Sequence, residues 1–162
     1  AQAGVAVSTV YAIFRNKRSI LAAICDTWLE EAQIRPLMEQ ALMDGDISQR
    51  IATAARWTRQ QWERGADVLT LLHAAAQVDA DVAAMLAGWI EEKSRAMARF
   101  VASLEGSLRP GLGLERAGDL FDALTIPELY RELVDRSGWQ PDEYEQWLAR
   151  VLAWQLLGRA DP

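Results

Sequence analysis

The sequence predicts an all-α fold, and three observations predict it. Apolar residues recur at three- and four-residue steps along almost the whole chain. Alternation of Val, Ile, Thr and aromatic residues, the mark of a strand, never persists beyond a few positions. Turn-forming Gly, Pro and Asp residues fall at regular intervals between the periodic runs. At 162 residues, with 51% apolar and 25% charged residues, the chain has the size and composition of a folded protein with one compact unit.

Taken in order, the spacing predicts helices over 8–14, 17–35, 47–64, 67–77, 80–108, 114–124, 127–136 and 141–157. Pro36 ends or kinks the second, because its ring removes a helix hydrogen bond. Asp44-Gly45-Asp46 is a turn, and Asp46 with Gln49 three residues on has the pattern of a capping box. Gly65 is expected to end the helix that follows. In the run 80–108, Val82, Leu86, Trp89, Ile90, Met97, Phe100, Val101 and Leu104 lie at helical steps. A rod of that length, roughly 40 Å at 1.5 Å per residue, is a natural spine for a bundle. Arg109-Pro110-Gly111-Leu112-Gly113 is the most helix-hostile stretch. Thr125 to Glu128, with Pro127 in the first turn, reads as a second capping box, and Gly138 with Pro141 separates the last two helices.

Composition excludes several classes of function. No run of eighteen uncharged apolar residues occurs, so no membrane partner is expected. One cysteine, Cys25, and one histidine, His73, provide neither an internal disulfide nor a structural zinc site, so no metal and no cofactor is expected. A reduced, cytoplasmic setting fits that usage. Glu30-Glu31 and Glu91-Glu92 are adjacent and diverge on a helix, no Glu-x-x-His pair occurs, and no phosphate-cradling glycine loop follows a strand. An enzyme is not expected. Arg56, Arg59 and neighbouring tryptophans resemble a nucleic-acid patch, but Arg59 and Glu63, four apart, pair as a solvated face.

Charge is uneven. Arg15, Lys17 and Arg18 are the only charged residues among the first 25, and against a net −6 they leave −9 on residues 26–162. Nucleic acid would be repelled everywhere except at the N-terminal end. The chain opens at Ala1-Gln2, inside what reads as a helix, so further residues upstream are expected.

Residues 3–21 run from a helix end at Ala3 through a tight turn at Gly4 into a short helix, a two-residue break and a long helix from Lys17. Val10 and Phe14, four apart, share the buried face and leave Val7, Ser8, Ala12 and Ile13 on the other. The stretch resembles the recognition-helix region of the TetR family of bacterial one-component repressors. Eleven positions match at the family's spacing: Ala3, Gly4, Val5, Thr9, Val10, Tyr11, Phe14, Asn16, Lys17, Ile20 and Leu21. Residues 123–157 look like the C-terminal end of a common subgroup, whereas 22–122 match only in helix count and length. Ala6 stands where the family often has a capping Ser. Without the resemblance, 8–14 reads as a short structural helix at the end of a bundle.

The resemblance implies a TetR-like helical bundle. Residues 1–21 are the remaining part of a helix-turn-helix domain, and 22–162 form an effector-binding and dimerisation domain. It implies a bacterial, cytoplasmic transcriptional regulator, a repressor, that binds double-stranded operator DNA as a homodimer and is released by a small apolar effector. Thr9, Tyr11 and Lys17 would contact phosphates, and Val7, Ser8, Ala12 and Ile13 base edges, so position and sequence preference are divided between the two sets. The other class in view is an all-helical small-molecule-binding or interaction protein that does not bind DNA.

Two further sets of residues follow from the residue pattern. Tryptophans and methionines crowd the middle helices, and rigid Trp beside flexible Met suits an apolar pocket. Trp57, Met85 and Trp89 are its candidate walls, Gln61 and Lys93 its polar handles one turn on, and His73 a further lining residue, with plain core packing the commoner outcome for each. A satisfied, buried His73 is the commoner reading of that residue. The last helix carries two apolar stripes, one of them Trp147, Val151 and Trp154, and helix 114–124 sets Phe121 and Leu124 beside small Ala117 and Gly118. These seven residues are the candidate dimer interface, with packing inside one subunit as the alternative.

Overall fold

The computed structural model describes residues 17–158, with side chains from residue 19 onward. The predicted helix 8–14 therefore lies outside the described residues. Among those described there is no strand, and seven α-helices follow one another. They are α1 (Lys17–Glu31), α2 (Ile34–Met43), α3 (Ile47–Ala76), α4 (Ala80–Ala102), α5 (Leu114–Leu124), α6 (Pro127–Tyr130) and α7 (Pro141–Leu152). The last two run on as π-helical turns over Arg131–Arg136 and Ala153–Leu157.

The spine is α3, not the helix that follows it. Its 30 residues span about 45 Å, and α1, α2, α4, α6 and α7 all pack on it. Helices 47–64 and 67–77 were expected as two, divided at Gly65. The chain instead stays helical, because Gly65 is buried beneath the Trp28 indole. A mid-helix glycine costs about 1 kcal/mol, and the close approach of α1 that it permits outweighs that cost. The predicted helix 80–108 stops earlier, at Ala102. There the Ser103 hydroxyl donates to the Phe100 carbonyl at 2.6 Å, and Arg50 reaches from α3 to donate to the Ser103 carbonyl at 3.0 Å.

The predicted helix 17–35 also divides. It ends at Glu31, Gln33 takes a left-handed conformation (φ 51°), and α2 restarts at Ile34. Pro36 falls in the first turn of α2, where its missing amide has no helical partner to lose. Ile34, Leu37 and Ala41 then turn a buried face toward α3.

Helix starts agree better with expectation. The Asp46 carboxylate accepts from Ser48 N–H at 2.9 Å to cap α3, but the expected capping box with Gln49 does not form, because the Asp46 N–H donates to Asp44 Oδ1 at 3.0 Å; Asp79 caps α4 by accepting from Asp81 and Val82. Pro127 and Pro141 open α6 and α7. Thr125 belongs to the preceding helix instead: its hydroxyl donates to the Phe121 carbonyl at 2.8 Å, and Ile126 precedes α6 as its cap residue. The helix-hostile stretch makes the expected loop and pins the C-terminal end, since Arg109 donates from its backbone N–H to Leu156 O (2.8 Å) and from Nε to Gln155 O (2.7 Å).

The main core is aromatic at its centre. Trp57 meets Phe100 edge to face at 4.9 Å, and Phe121 lies 5.2 Å from Phe100. Toward α6 and α7, Tyr130 and Tyr144 meet at 5.0 Å. A smaller cluster of Cys25, Leu72 and Leu86 joins α1, α3 and α4. Burial there pushes the Cys25 thiol up to about 11, with Asp26 adding to it.

The buried tyrosines make a prediction for alkaline pH. Burial, with Glu63 and Asp135 adding to it and Arg59 opposing, pushes the Tyr130 phenol up to about 12. Burial raises Tyr144 as well, and its hydroxyl has no hydrogen-bond partner among the described residues. The folded state thus holds both phenols neutral at a pH where the unfolded chain releases their protons, near the ordinary value of 10.0. Their contribution is complete below about pH 10 and is lost as pH rises through about 12. Urea melts between pH 8 and 11.5 should show a midpoint that begins to fall near pH 9.0, where the raised Cys25 thiol loses its contribution, and falls more steeply above about pH 10 as the two phenols follow; a midpoint that holds to the end of the range contradicts this.

Candidate functional site

The described residues place an open groove between α1 and α3, with a cavity volume of about 400 Å³. Helix α1 lines it with Ile20, Ala23, Ile24, Thr27 and Glu31, at steps of three and four that put them on one face, together with Trp28. Helix α3 adds Arg64 and Val68. The two helices are tied at the lower end of the groove. Trp28 Nε1 donates to the Gln61 carbonyl at 3.1 Å, and Arg64 donates to the Glu31 carbonyl at 2.8 Å. The indole needs the bare backbone of Gly65, since a Cβ there would overlap its ring atoms. The walls are mainly hydrocarbon, with one guanidinium and one carboxylate at the rim.

The residues expected to line an effector pocket are not brought together. Trp57 fills the aromatic core at 1% exposure, and Gln61 is buried beside it. His73 is exposed on α3, which corrects its reading as a buried residue: its position, four turns and more beyond Trp57, points away from both clusters. Sixteen residues of continuous helix set the two about 24 Å apart. Met85 and Trp89 pack against the Cys25, Leu72 and Leu86 cluster. Lys93 holds its ammonium 5.4 Å above the Trp62 ring, where desolvation lowers its pKa although Asp122 and Glu128 pull the other way. None of these six lines the α1–α3 groove. The spacing of Ile20, Ala23, Ile24, Thr27 and Glu31 was present in the sequence, but the matching face of α3 becomes visible only once that helix is continuous.

The candidate dimer residues divide in two. Ala117 and Phe121 are fully buried inside the subunit and belong to its core, a correction to their place in an interface: α5 turns this face onto α4. Leu124, Trp147 and Val151 are half-buried, and Trp154 is 58% exposed. Gly118 faces open space. Trp147 leans on Trp139 and Tyr144, at 5.8 and 5.9 Å. The other stripe, Tyr144, Leu148 and Leu152, is buried within the subunit, while the stripe of Trp147, Val151 and Trp154 reaches the surface at Trp154.

Of the DNA-binding candidates, Val7, Ser8, Thr9, Tyr11, Ala12 and Ile13 lie outside the described residues, and Lys17 is the first residue of α1, its side chain also outside them. Arg59 does pair with Glu63, and it also reaches Glu145 (3.0 Å) and Asp142 (3.5 Å) on α7. Burial alone would lower its pKa, and the hydrogen bonds to Glu63 and Glu145 reverse that and raise it. Arg56 joins the same Glu145 at 3.5 Å. This stretch therefore closes the α3–α7 seam.

Among the described residues no group of three potential metal ligands occurs, and no helix is long and apolar enough to cross a membrane. No protein-family model, no curated protein and no solved structure matches the chain.

Proposed function

We propose that the chain is a DNA-binding transcriptional regulator, a repressor that holds a pseudo-palindromic operator as a homodimer and lets go when a small effector binds. The observation that carries this reading is the eleven-position pattern over residues 3–21, which runs directly into the long helix that begins at Lys17. Two features of the body support it. The α1–α3 groove offers an effector site on the same helix that continues the DNA-reading segment. The surface stripe of Trp154, with half-buried Val151 and Trp147, offers an apolar face to a second copy. Two recognition segments in such a dimer would meet successive major grooves, roughly 34–36 Å apart or a multiple of that. The effector acts by binding the DNA-incompetent state better than the competent one.

Retention of labelled genomic fragments, including the region upstream of the protein's own gene, tests this at two salt concentrations. Retention at about 50 mM salt should fall by about 10³-fold or more at about 200 mM, because each phosphate contact releases a counterion. Failure to retain any fragment at low salt sinks the reading and favours an effector-binding protein that does not act on DNA.

Trp154→Glu tests the dimer separately. The side chain is exposed, so the subunit fold should survive while the interface loses its largest apolar anchor. Sedimentation should show the dimer dissociating about 30-fold more readily or worse. An unchanged dimer mass at low micromolar protein would place the interface elsewhere.

A further inference from the structure

We infer that the α1–α3 groove takes an amphipathic monoanion, with a flat or branched hydrocarbon body against Trp28, Ile20, Ile24 and Val68 and a single carboxylate on Arg64; this rests on reading the groove as the effector site. Its volume, about 400 Å³, suits one small organic molecule rather than a metal ion or a peptide. Hydrocarbon dominates the walls, so the body of the ligand must be apolar to gain from entering.

The charged end follows from Arg64. Its guanidinium is anchored, because Nη1 donates to the backbone carbonyl of Glu31 at 2.8 Å. No carboxylate lies in ion-pair reach of it among the described residues, although Arg59, five residues earlier on the same helix, holds three. Arg64 thus holds a planar guanidinium, tied by one hydrogen bond to the Glu31 carbonyl, at the mouth of an apolar slot. That geometry recognises a carboxylate through paired hydrogen bonds. Glu31 sets the limit on charge. Arg64 bonds its backbone carbonyl, and the Glu31 side chain stays exposed at the rim, where it opposes a second negative group on the ligand. A cation on Glu31 would meet the guanidinium as a like charge. The ligand body would also press on Trp28, the side chain that fastens α1 to the Gly65 backbone and the Gln61 carbonyl. Occupancy is thereby coupled to the seat of α1.

Titration calorimetry with three isosteric probes, 2-naphthoate, 2-naphthamide and 2-naphthylmethylammonium, tests the inference. The acid should bind about tenfold or more tightly than either analogue, and Arg64→Gln should lower the acid's affinity until it no longer exceeds the amide's. Equal or tighter binding of the amide or the ammonium compound overturns the anion class. So does acid binding that Arg64→Gln leaves intact. If none of the three binds, or if binding persists when Ala23→Phe fills the slot in a protein of unchanged circular dichroism, the groove is not the effector site and that part of the functional reading falls.

Discussion

Trp57→Ala should lower the unfolding free energy by about 3–5 kcal/mol, the largest loss expected from any single truncation in this chain. The indole is 1% exposed and stands where three helices meet: it rises from α3, touches Phe100 of α4 edge to face at 4.9 Å, and lies 6.1 Å from Phe121 of α5. Removing it deletes the apolar contacts and the ring geometry together, and leaves a cavity that rigid aromatic neighbours collapse into poorly. A domain's whole stability is about 5–15 kcal/mol, so the variant should sit close to the folding threshold. Urea denaturation with an unchanged slope is the measurement. A loss under about 1 kcal/mol would mean that Phe100 and Phe121 close the gap and that the centre of the core lies elsewhere.

Gly65→Ala provides the second large effect, and here the sign is decisive. Helix propensity alone says that alanine should stabilise α3 by about 1 kcal/mol. The position says the opposite, because a Cβ at Gly65 would overlap the Cε2, Nε1 and Cζ2 atoms of Trp28. The indole is 8% exposed and held to the Gln61 carbonyl, so it has to move, give up that hydrogen bond and push α1 away. Overpacking of about 1–3 kcal/mol and a lost hydrogen bond of about 1 kcal/mol exceed the propensity gain, for a net loss of about 2 kcal/mol. Combining Gly65→Ala with Trp28→Ala separates the causes. In the Trp28→Ala background the glycine change should become neutral or stabilising, a coupling of about 2 kcal/mol between the two sites. If Gly65→Ala stabilises the unaltered protein, the account of how α1 seats on α3 is wrong. The same pair bears on the groove, since Trp28 is one of its walls.

The two predictions show where sequence reasoning succeeds and fails in this chain. Asp46, Pro127 and Pro141 mark their helix starts by local chemistry, a carboxylate on free N–H groups or a ring that needs none, and each performs that role in the fold. Gly65 and Thr125 look like local signals and are not. The glycine admits an indole from another helix, and the threonine closes α5 while its carbonyl takes the Trp62 N–H at 2.8 Å. Of the candidate site residues, those proposed from composition, such as Trp57 and Phe121, went to the core. The groove needed faces from two helices at once, and periodicity describes one helix at a time.

By itself the sequence determined that the chain is helical, where most of its helices start, and that its charge and motif separate a short basic end from an acidic body. Those properties depend on neighbours within about one turn, which the order of residues specifies directly. Only the tertiary structure decided that α3 runs unbroken through a glycine, which tryptophans are core and which is surface, and that α1 and α3 leave a slot between them. Each of these depends on atoms far apart in the chain competing for the same space, and close packing settles that competition.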